Sequence, residues 1–540
     1  MEVSENLIDL LYRALDERRI AEGTRLLDEI NPALKRLDGS SRHSPALVLC
    51  MAQWVDVGYK DHRLIAQLLA RFPIRERSNH SMKYFLELRL ADAFVAMMNE
   101  DTDTALSLID FVLRAGIESV DPRILMMAQF WKARTHRKRG EYDRALLHIA
   151  EAQRQATELN ARKWTAAIEI QESWLLFQKG QCKKALLLLD SAEAELKNTG
   201  DAISLGNIAS ARGRIVRRAG EYAEALDHFD RAIAIFTERH ANHRNLARTL
   251  VNAAYVKRLI ALQLRKRIDS QAAAPKNNGA ISAGSASPKT TRSYRARHTL
   301  VCQEALEHLR KAGEIYRLLN HHTGTGSVLV NVGHLHLDNG DIDCAAAEAL
   351  KAYELGALHH DLILMARARV LQASAENARV DEQLGEDADI SVYANRARKY
   401  SDEAVSLAEQ TQNRRLLAAA YIARGMTMAN DFFQEREEAK LCLDRAAAFL
   451  LREDRDHLWE DWSDLKSRVL RASGIDDTLR AWTEGIVHGK TFQQITEEFA
   501  EIVISKVWLR EEKKIARVVE RLSVSPKKVR RVLRKNGLLN

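Results

Sequence analysis

Three stretches of the chain align without a gap at a spacing of 40 residues: RGEYDRALLHIAEA from Arg139, KGQCKKALLLLDSA from Lys179 and AGEYAEALDHFDRA from Ala219. A fourth, NGDIDCAAAEALKA from Asn339, keeps the same phase, and Ala305 stands one period before Ala345. A fixed period of this length marks stacked units, none of which can bury its apolar face alone. In each of the three ungapped copies a glycine turn precedes an alanine, a large apolar residue four later and a second alanine three beyond. Examples are Ala145–Ile149–Ala152, Ala185–Leu189–Ala192 and Ala225–Phe229–Ala232. That spacing gathers the three on one helix face, and alanine admits a neighbouring helix closely. Apolar segments before the glycines, such as IEIQESWLLFQKG and IASARGRIVRRAG, supply a first helix for each pair.

Proline breaks helix interiors, and none of the chain's seven prolines falls between Pro122 and Pro275 or between Pro288 and Pro526. Ala, Leu, Arg and Glu dominate over β-branched and aromatic residues, which favours helix over strand. The expected fold is therefore all-α. In these repeated second helices the chain resembles the tetratricopeptide repeat (TPR) family, with the period stretched to 40 residues. The resemblance implies a helical-repeat superhelix, an α-solenoid, with a groove for a protein or peptide ligand.

The resemblance covers residues 85–450, where Ala105, Ala404 and Ala439 mark weaker copies. Residues 1–84 are helical in pattern and read as degenerate repeats. Residues 269–298, rich in Ala, Ser, Gly, Asn and Lys with two prolines, read as a disordered insertion between the helices of one repeat. Residues 380–393 form a shorter acidic insertion, 451–489 a helical linker, and 490–540 a separate C-terminal domain. Trp459, Trp462, Trp482 and Trp508 are expected to pack the junction between the repeats and that domain.

Several chemistries lack support. Cys50, Cys182, Cys302, Cys344 and Cys442 form no CxxC pair, and read as small buried apolar residues rather than a disulfide framework or a metal site. His321, His322, His334, His336, His359 and His360 lie within 40 residues, yet adjacent histidines are expected to point apart. HHTGTGS at 321–327 lacks the ending of a phosphate loop and falls on an inter-helix turn. No catalytic residue, metal site or cofactor site is expected, so the chain reads as a non-enzyme. No apolar run reaches the ~18 residues of a membrane span, and the acidic amphipathic N-terminus is unlike a signal peptide. A cytoplasmic location without membrane contact is the expectation.

The net charge of +8 resides in one place. Residues 510–540 hold eleven Lys or Arg and three Glu, so residues 1–509 sum to zero. Within SVSPKKVRRVLRKNGLLN, Ser525 suits an N-cap and Pro526 the first helical turn. On a helical wheel Val529, Val532 and Leu533 fall within an arc of about 100°. Lys527, Lys528, Arg530, Arg531, Arg534 and Lys535 take the other side. A narrow apolar face and a broad basic one suit a helix laid in a DNA major groove.

With the preceding helix KIARVVERL, these residues resemble the Fis-type helix-turn-helix domain over 490–540. Leu522-Ser523-Val524-Ser525 stands at the turn, and Gly537-Leu538 closes the last helix. Ser523 replaces the family's turn glycine, Val518-Val519 its small pair, and Lys528 a frequent threonine. The resemblance implies duplex DNA as partner and a homodimer through Phe499, Ile502 and Val503. Lys527, Lys528, Arg530 and Arg531 are candidates for base edges, Arg534 and Lys535 for phosphates. Together these expectations describe a bacterial DNA-binding transcriptional regulator. The competing reading is a TPR scaffold whose basic end reads no DNA sequence.

Overall fold

A computed structural model describes residues 4–34, 36–39, 41–60, 62–116, 121–239, 242–273, 288–383, 390–451, 454–472, 489–511 and 513–539. Those residues form twenty-four α-helices and one 3-10 turn, and no strand. They divide into two compact units, Met1–Leu465 and Lys466–Asn540.

In the first unit α1 (Glu5–Asp16), α2 (Ile20–Leu34), α3 (Ser44–Asp56) and α4 (Arg63–Leu69) precede the regular array. The array starts with α5 (Met82–Met98) and α6 (Thr102–Ala115), then α7 (Pro122–Lys138) and α8 (Tyr142–Glu158). Next come α9 (Arg162–Gln178) with α10 (Cys182–Leu196), and α11 (Ala202–Arg218) with α12 (Tyr222–Arg239). The longer pair α13 (Arg244–Ala273) and α14 (Pro288–Leu318) is followed by α15 (His322–Asp338) and α16 (Ile342–Leu358). The series ends with α17 (Leu362–Gln383), α18 (Ser391–Glu409), α19 (Arg414–Met428) and α20 (Arg436–Phe449). Then α21 (His457–Ala472) carries the chain across the division between the units.

The period seen in the sequence is the period of the turns. Gly140, Gly180, Gly220 and Gly340 adopt φ of 79°, 84°, 89° and 88°, left-handed values that a side chain resists. Ala145, Ala185, Ala225 and Ala345 are each fully buried on the second helices. Large residues there meet small ones on the first helices: a Cβ added at Gly213 of α11 would stand 2.8 Å from the Phe229 ring of α12. Ion pairs repeat in register along the outer surface, with Lys179–Asp143 at 2.5 Å, Arg379–Asp343 at 2.6 Å and Arg139–Asp103 in the same phase. Exposed pairs of this kind contribute ~0–1 kcal/mol each. The apolar contacts of the stacked pairs therefore supply most of the cohesion.

Repeats far apart in the chain also touch, because the stack winds into a superhelix. Gln412 donates its backbone N–H to the Gly140 carbonyl at 3.1 Å, and Arg455 donates to Arg218 at 2.9 Å. Arg18 and Asp201, both almost fully buried, pair at 3.2 Å. The first helices from α7 to α17 line a channel.

Several expectations need correction. The insertion expected over 269–298 is helical at both ends, since α13 runs to Ala273 and α14 begins at Pro288; alanines and arginines there extend the two helices. Residues 274–287 lie outside the described residues, as do 384–389 within the expected acidic insertion, while α17 reaches Gln383 and α18 starts at Ser391. The tryptophans divide between the two units. Trp459 and Trp462 pack on the core of α19 and α20, Trp508 belongs to the core of the C-terminal unit, and Trp482 lies outside the described residues. Cys344 is exposed on α16, unlike Cys50, Cys302 and Cys442.

Candidate functional site

The C-terminal unit contains α22 (Phe492–Arg510), α23 (Ile515–Leu522) and α24 (Pro526–Lys535). Thr491 and Gln494 form a reciprocal capping box at the start of α22. Val518 of α23 and Val529, Val532 and Leu533 of α24 are buried against Ile504 and Trp508 of α22. Between α23 and α24, Ser523 adopts φ 50° and ψ 38°, the left-handed conformation that makes the turn. A side chain there costs about 1 kcal/mol relative to glycine. Ser525 then caps α24, its hydroxyl accepting the Lys528 N–H at 3.2 Å.

Three apolar anchors hold α24 to its unit, so its remaining faces stand clear. Lys527, Arg530, Arg531, Arg534 and Lys535 are exposed and Lys528 is partly so. Lys535 pairs with Glu501 of α22, a contact that must open before this lysine can take a phosphate. Among the described residues no carboxylate pairs with Lys527, Lys528, Arg530, Arg531 or Arg534. On α22, Phe499 is 48% exposed and Phe492 84% exposed, with Ile502 and Val503 half-buried beside them.

The repeat unit holds a second candidate that the sequence reading did not reach. Its channel contains a cavity of about 410 Å³ lined chiefly by the first helices from α7 to α17. Trp131, Arg134 and Arg137 come from α7, Trp164 and Trp174 from α9, Asn207 and Arg214 from α11. Arg244 and Arg248 come from α13 and Arg367 from α17. Eight Lys or Arg line the cavity against three carboxylates, Asp56, Glu100 and Asp201. Each carboxylate is engaged: Asp56 by Arg134 at 2.5 Å and Arg244 at 3.4 Å, Asp201 by Arg18. Glu100 accepts from the Thr323 backbone at 3.2 Å and pairs with His322 at 2.8 Å.

The remaining arginines meet neutral groups. Arg137 lies over the Trp174 ring at 4.6 Å, Arg248 donates to Asn207 Oδ1 at 2.9 Å, and Arg367 to Ser327 Oγ at 3.3 Å. Burial, with the neighbouring Arg248 second, pushes the Arg137 guanidinium down to about 9. Burial likewise brings Lys138 to about 7 and Arg244 to about 10. These side chains are surrounded by protein yet keep part of their surface open to the channel.

His321 and His322 correct the expectation that adjacent histidines diverge, since both lie beside Glu100, at 3.3 Å and 2.8 Å. They straddle the start of α15, where His321 is the N-cap and its backbone is not yet helical. The Gly324 N–H donates to His321 Nδ1 at 3.0 Å, so that nitrogen is unprotonated. Burial pushes this imidazole down to about 3, in keeping with a neutral ring. Among the described residues no group of three or more potential metal ligands gathers, and no helix is long and apolar enough to cross a membrane.

The missed arginines left one trace in the sequence. Arg134 and Arg214 occupy the same place in the period two repeats apart. They lie on the first helices, where the family pattern is weakest.

No protein-family model matches the chain, and no curated protein does. Among solved structures, it is similar to a Rap protein crystallised with competence and sporulation factor, at 14% identity and a TM-score of 0.50, over 75% of this chain and 98% of that one. The Rap conjugation gene regulator of plasmid pLS20, in complex with the Phr* peptide, gives 10% identity and 0.43 over 75% and 96%. The human IFIT1 dimer with m7Gppp-AAAA gives 13% and 0.43 over 83% and 95%. The chain is thus an all-α, TPR-like helical-repeat superhelix.

Proposed function

We propose that this chain is a DNA-binding regulator, its C-terminal unit a Fis-type helix-turn-helix and its repeat channel the seat of a peptide or protein ligand. The observation that carries the DNA reading is the basic face of α24: Lys527, Lys528, Arg530, Arg531 and Arg534 stand in water without a carboxylate among the described residues. Such a face costs the fold little and is strongly attracted to a polyanion. Two features of α24 fit a reading helix. Its N-terminal turn is fixed by Ser525 and Pro526, and its anchors leave Lys527, Arg530 and Arg531 clear for a groove.

The half-exposed apolar stripe of Phe499, Ile502 and Val503 supports a homodimer through α22. The repeat unit shares its fold with a Rap protein whose structure contains a bound factor, and the enclosed channel supports a ligand here. The reading assigns no catalytic step and no cofactor.

Fluorescence anisotropy of the full-length chain on random duplex DNA tests the proposal. If about five phosphates are neutralised, the slope of log affinity against log salt is about −4.5. The double substitution Lys527→Ala/Arg531→Ala is expected to flatten that slope by about 2 while the helical circular dichroism is unchanged. A flat salt response in the native chain sinks the DNA reading and favours the scaffold.

A further inference from the structure

We infer that the repeat channel selects an acidic peptide, whose carboxylates meet Arg137, Arg214 and Arg248. The inference deepens the ligand reading proposed above and rests on it.

Charge complementarity is the first argument. The three carboxylates of the cavity wall are already committed to Arg134, Arg244, Arg18 and the α15 N-terminus. Among the described residues none pairs with Arg137, Arg214 or Arg248. The buried Nε atoms of Arg137 and Arg248 have no acceptor among the described residues. The part of each guanidinium that stays open to the channel can donate to the anionic oxygens of an occupant. The three guanidiniums also repel one another: burial first, and then the charges of Arg248 and Arg137, oppose protonation of Arg214. An anion relieves that repulsion.

Preorganisation is the second argument. Trp174 supports the Arg137 fork from one side, and Asn207 holds Arg248. These neutral partners fix the guanidiniums without cancelling their charge. Little rotamer entropy remains to be lost when a carboxylate arrives.

The wall chemistry favours a peptide over a nucleic acid. A base needs a free aromatic face, but Arg137 covers Trp174 and Arg18 covers Trp164 at 4.7 Å, while Trp131 is packed against Phe94 at 4.9 Å. The same wall carries the amides of Gln171, Asn207, Asn245 and Asn413, which suit the donors and acceptors of a peptide backbone. The cavity volume of about 410 Å³ lies within the range of compact ligand sites, roughly 300–1,000 Å³.

Isothermal titration of the full-length chain tests the inference with capped peptides of four Glu, four Gln or four Lys. The Glu peptide is expected to bind at least tenfold more tightly than the Gln peptide. Arg137→Gln/Arg248→Gln is expected to remove that preference, and Arg137→Lys/Arg248→Lys to retain part of it, with the circular dichroism of both unchanged. Equal binding of the Glu and Gln peptides overturns the proposal. Tighter, Arg137-dependent binding of inorganic pyrophosphate overturns it in favour of a phosphate ligand. Selection from a random hexapeptide library separates the two readings. Neutral or basic peptides that occupy the channel overturn the acidic assignment and leave a peptide ligand standing. Failure of both the library and the Glu peptide overturns the two together.

Discussion

The two basic surfaces of this protein are built from the same side chains and solve opposite problems. On α24 the lysines and arginines project into water from a helix that three apolar residues anchor. In the repeat channel arginines are crowded by protein, and burial lowers their affinity for a proton. An open array costs the fold little and attracts any polyanion over a distance set by salt. An enclosed one holds its charges at a cost, and only an occupant of matching shape relieves it. Where charge is placed, more than how much there is, separates a surface fit for a polymer from one fit for a small ligand.

Removing a counterion from a closed site should have the largest effect. Asp454 is 1% exposed and faces Arg218, Arg414 and Arg415 at 3.7, 3.4 and 3.6 Å. Asp454→Ala removes the carboxylate that the three arginines share and leaves Asp456 to face Arg415. A loss of about 3–5 kcal/mol in urea unfolding is expected. A loss below about 1 kcal/mol would break the distinction between closed and channel-facing arginines.

A buried acid that forms no ion pair among the described residues gives the next effect. Glu87 of α5 is 1% exposed, its Oε2 lacks a partner, and burial pushes its carboxyl up to about 7. The folded state therefore holds a proton that the unfolded chain releases near pH ~4.3, and stability falls as pH rises from there to about 7. Glu87→Gln is expected to raise stability by roughly 1–3 kcal/mol at pH 8 and by little at pH 4, read from thermal melts.

Channel arginines come third. Without ligand, Arg214→Gln relieves repulsion from Arg248 and Arg137 and should stabilise the chain by about 0.5–1 kcal/mol, less in high salt. Destabilisation at every salt concentration would mean that Arg214 is held by the fold rather than for a ligand. The smallest effect belongs to the open surface. Glu501→Ala frees Lys535 of α24, leaving the melting temperature unchanged while tightening random duplex binding a few-fold at low salt.

How much was legible follows from the range over which each feature acts. The buried alanines and glycine turns repeat within one helix pair, so Ala145, Ala185, Ala225 and Gly140, Gly180, Gly220 could be read from spacing alone. The capped helix α24 is equally local: Ser525, Pro526, Val529, Val532 and Leu533 lie within nine residues. The channel is not local. Its arginines sit on first helices, whose side chains face the bore and are not constrained to repeat by packing between neighbouring pairs. The charge sum concealed it too, since residues 1–509 total zero while the cavity wall carries a surplus of five positive charges. The histidine pair failed for a related reason, because a helical rule was applied to an N-cap residue.

The sequence by itself determined the helices, their pairing, the period of 40 and the cationic helix at the end. Each depends on residues within one or two turns of a helix or one repeat of each other. Only the tertiary structure decided that Glu100 meets His322, that Gly140 meets Gln412 and that Arg137, Arg214 and Arg248 share one cavity. These meetings depend on the winding of the stack. Small rotations between successive repeats accumulate until residues more than 200 apart are brought together.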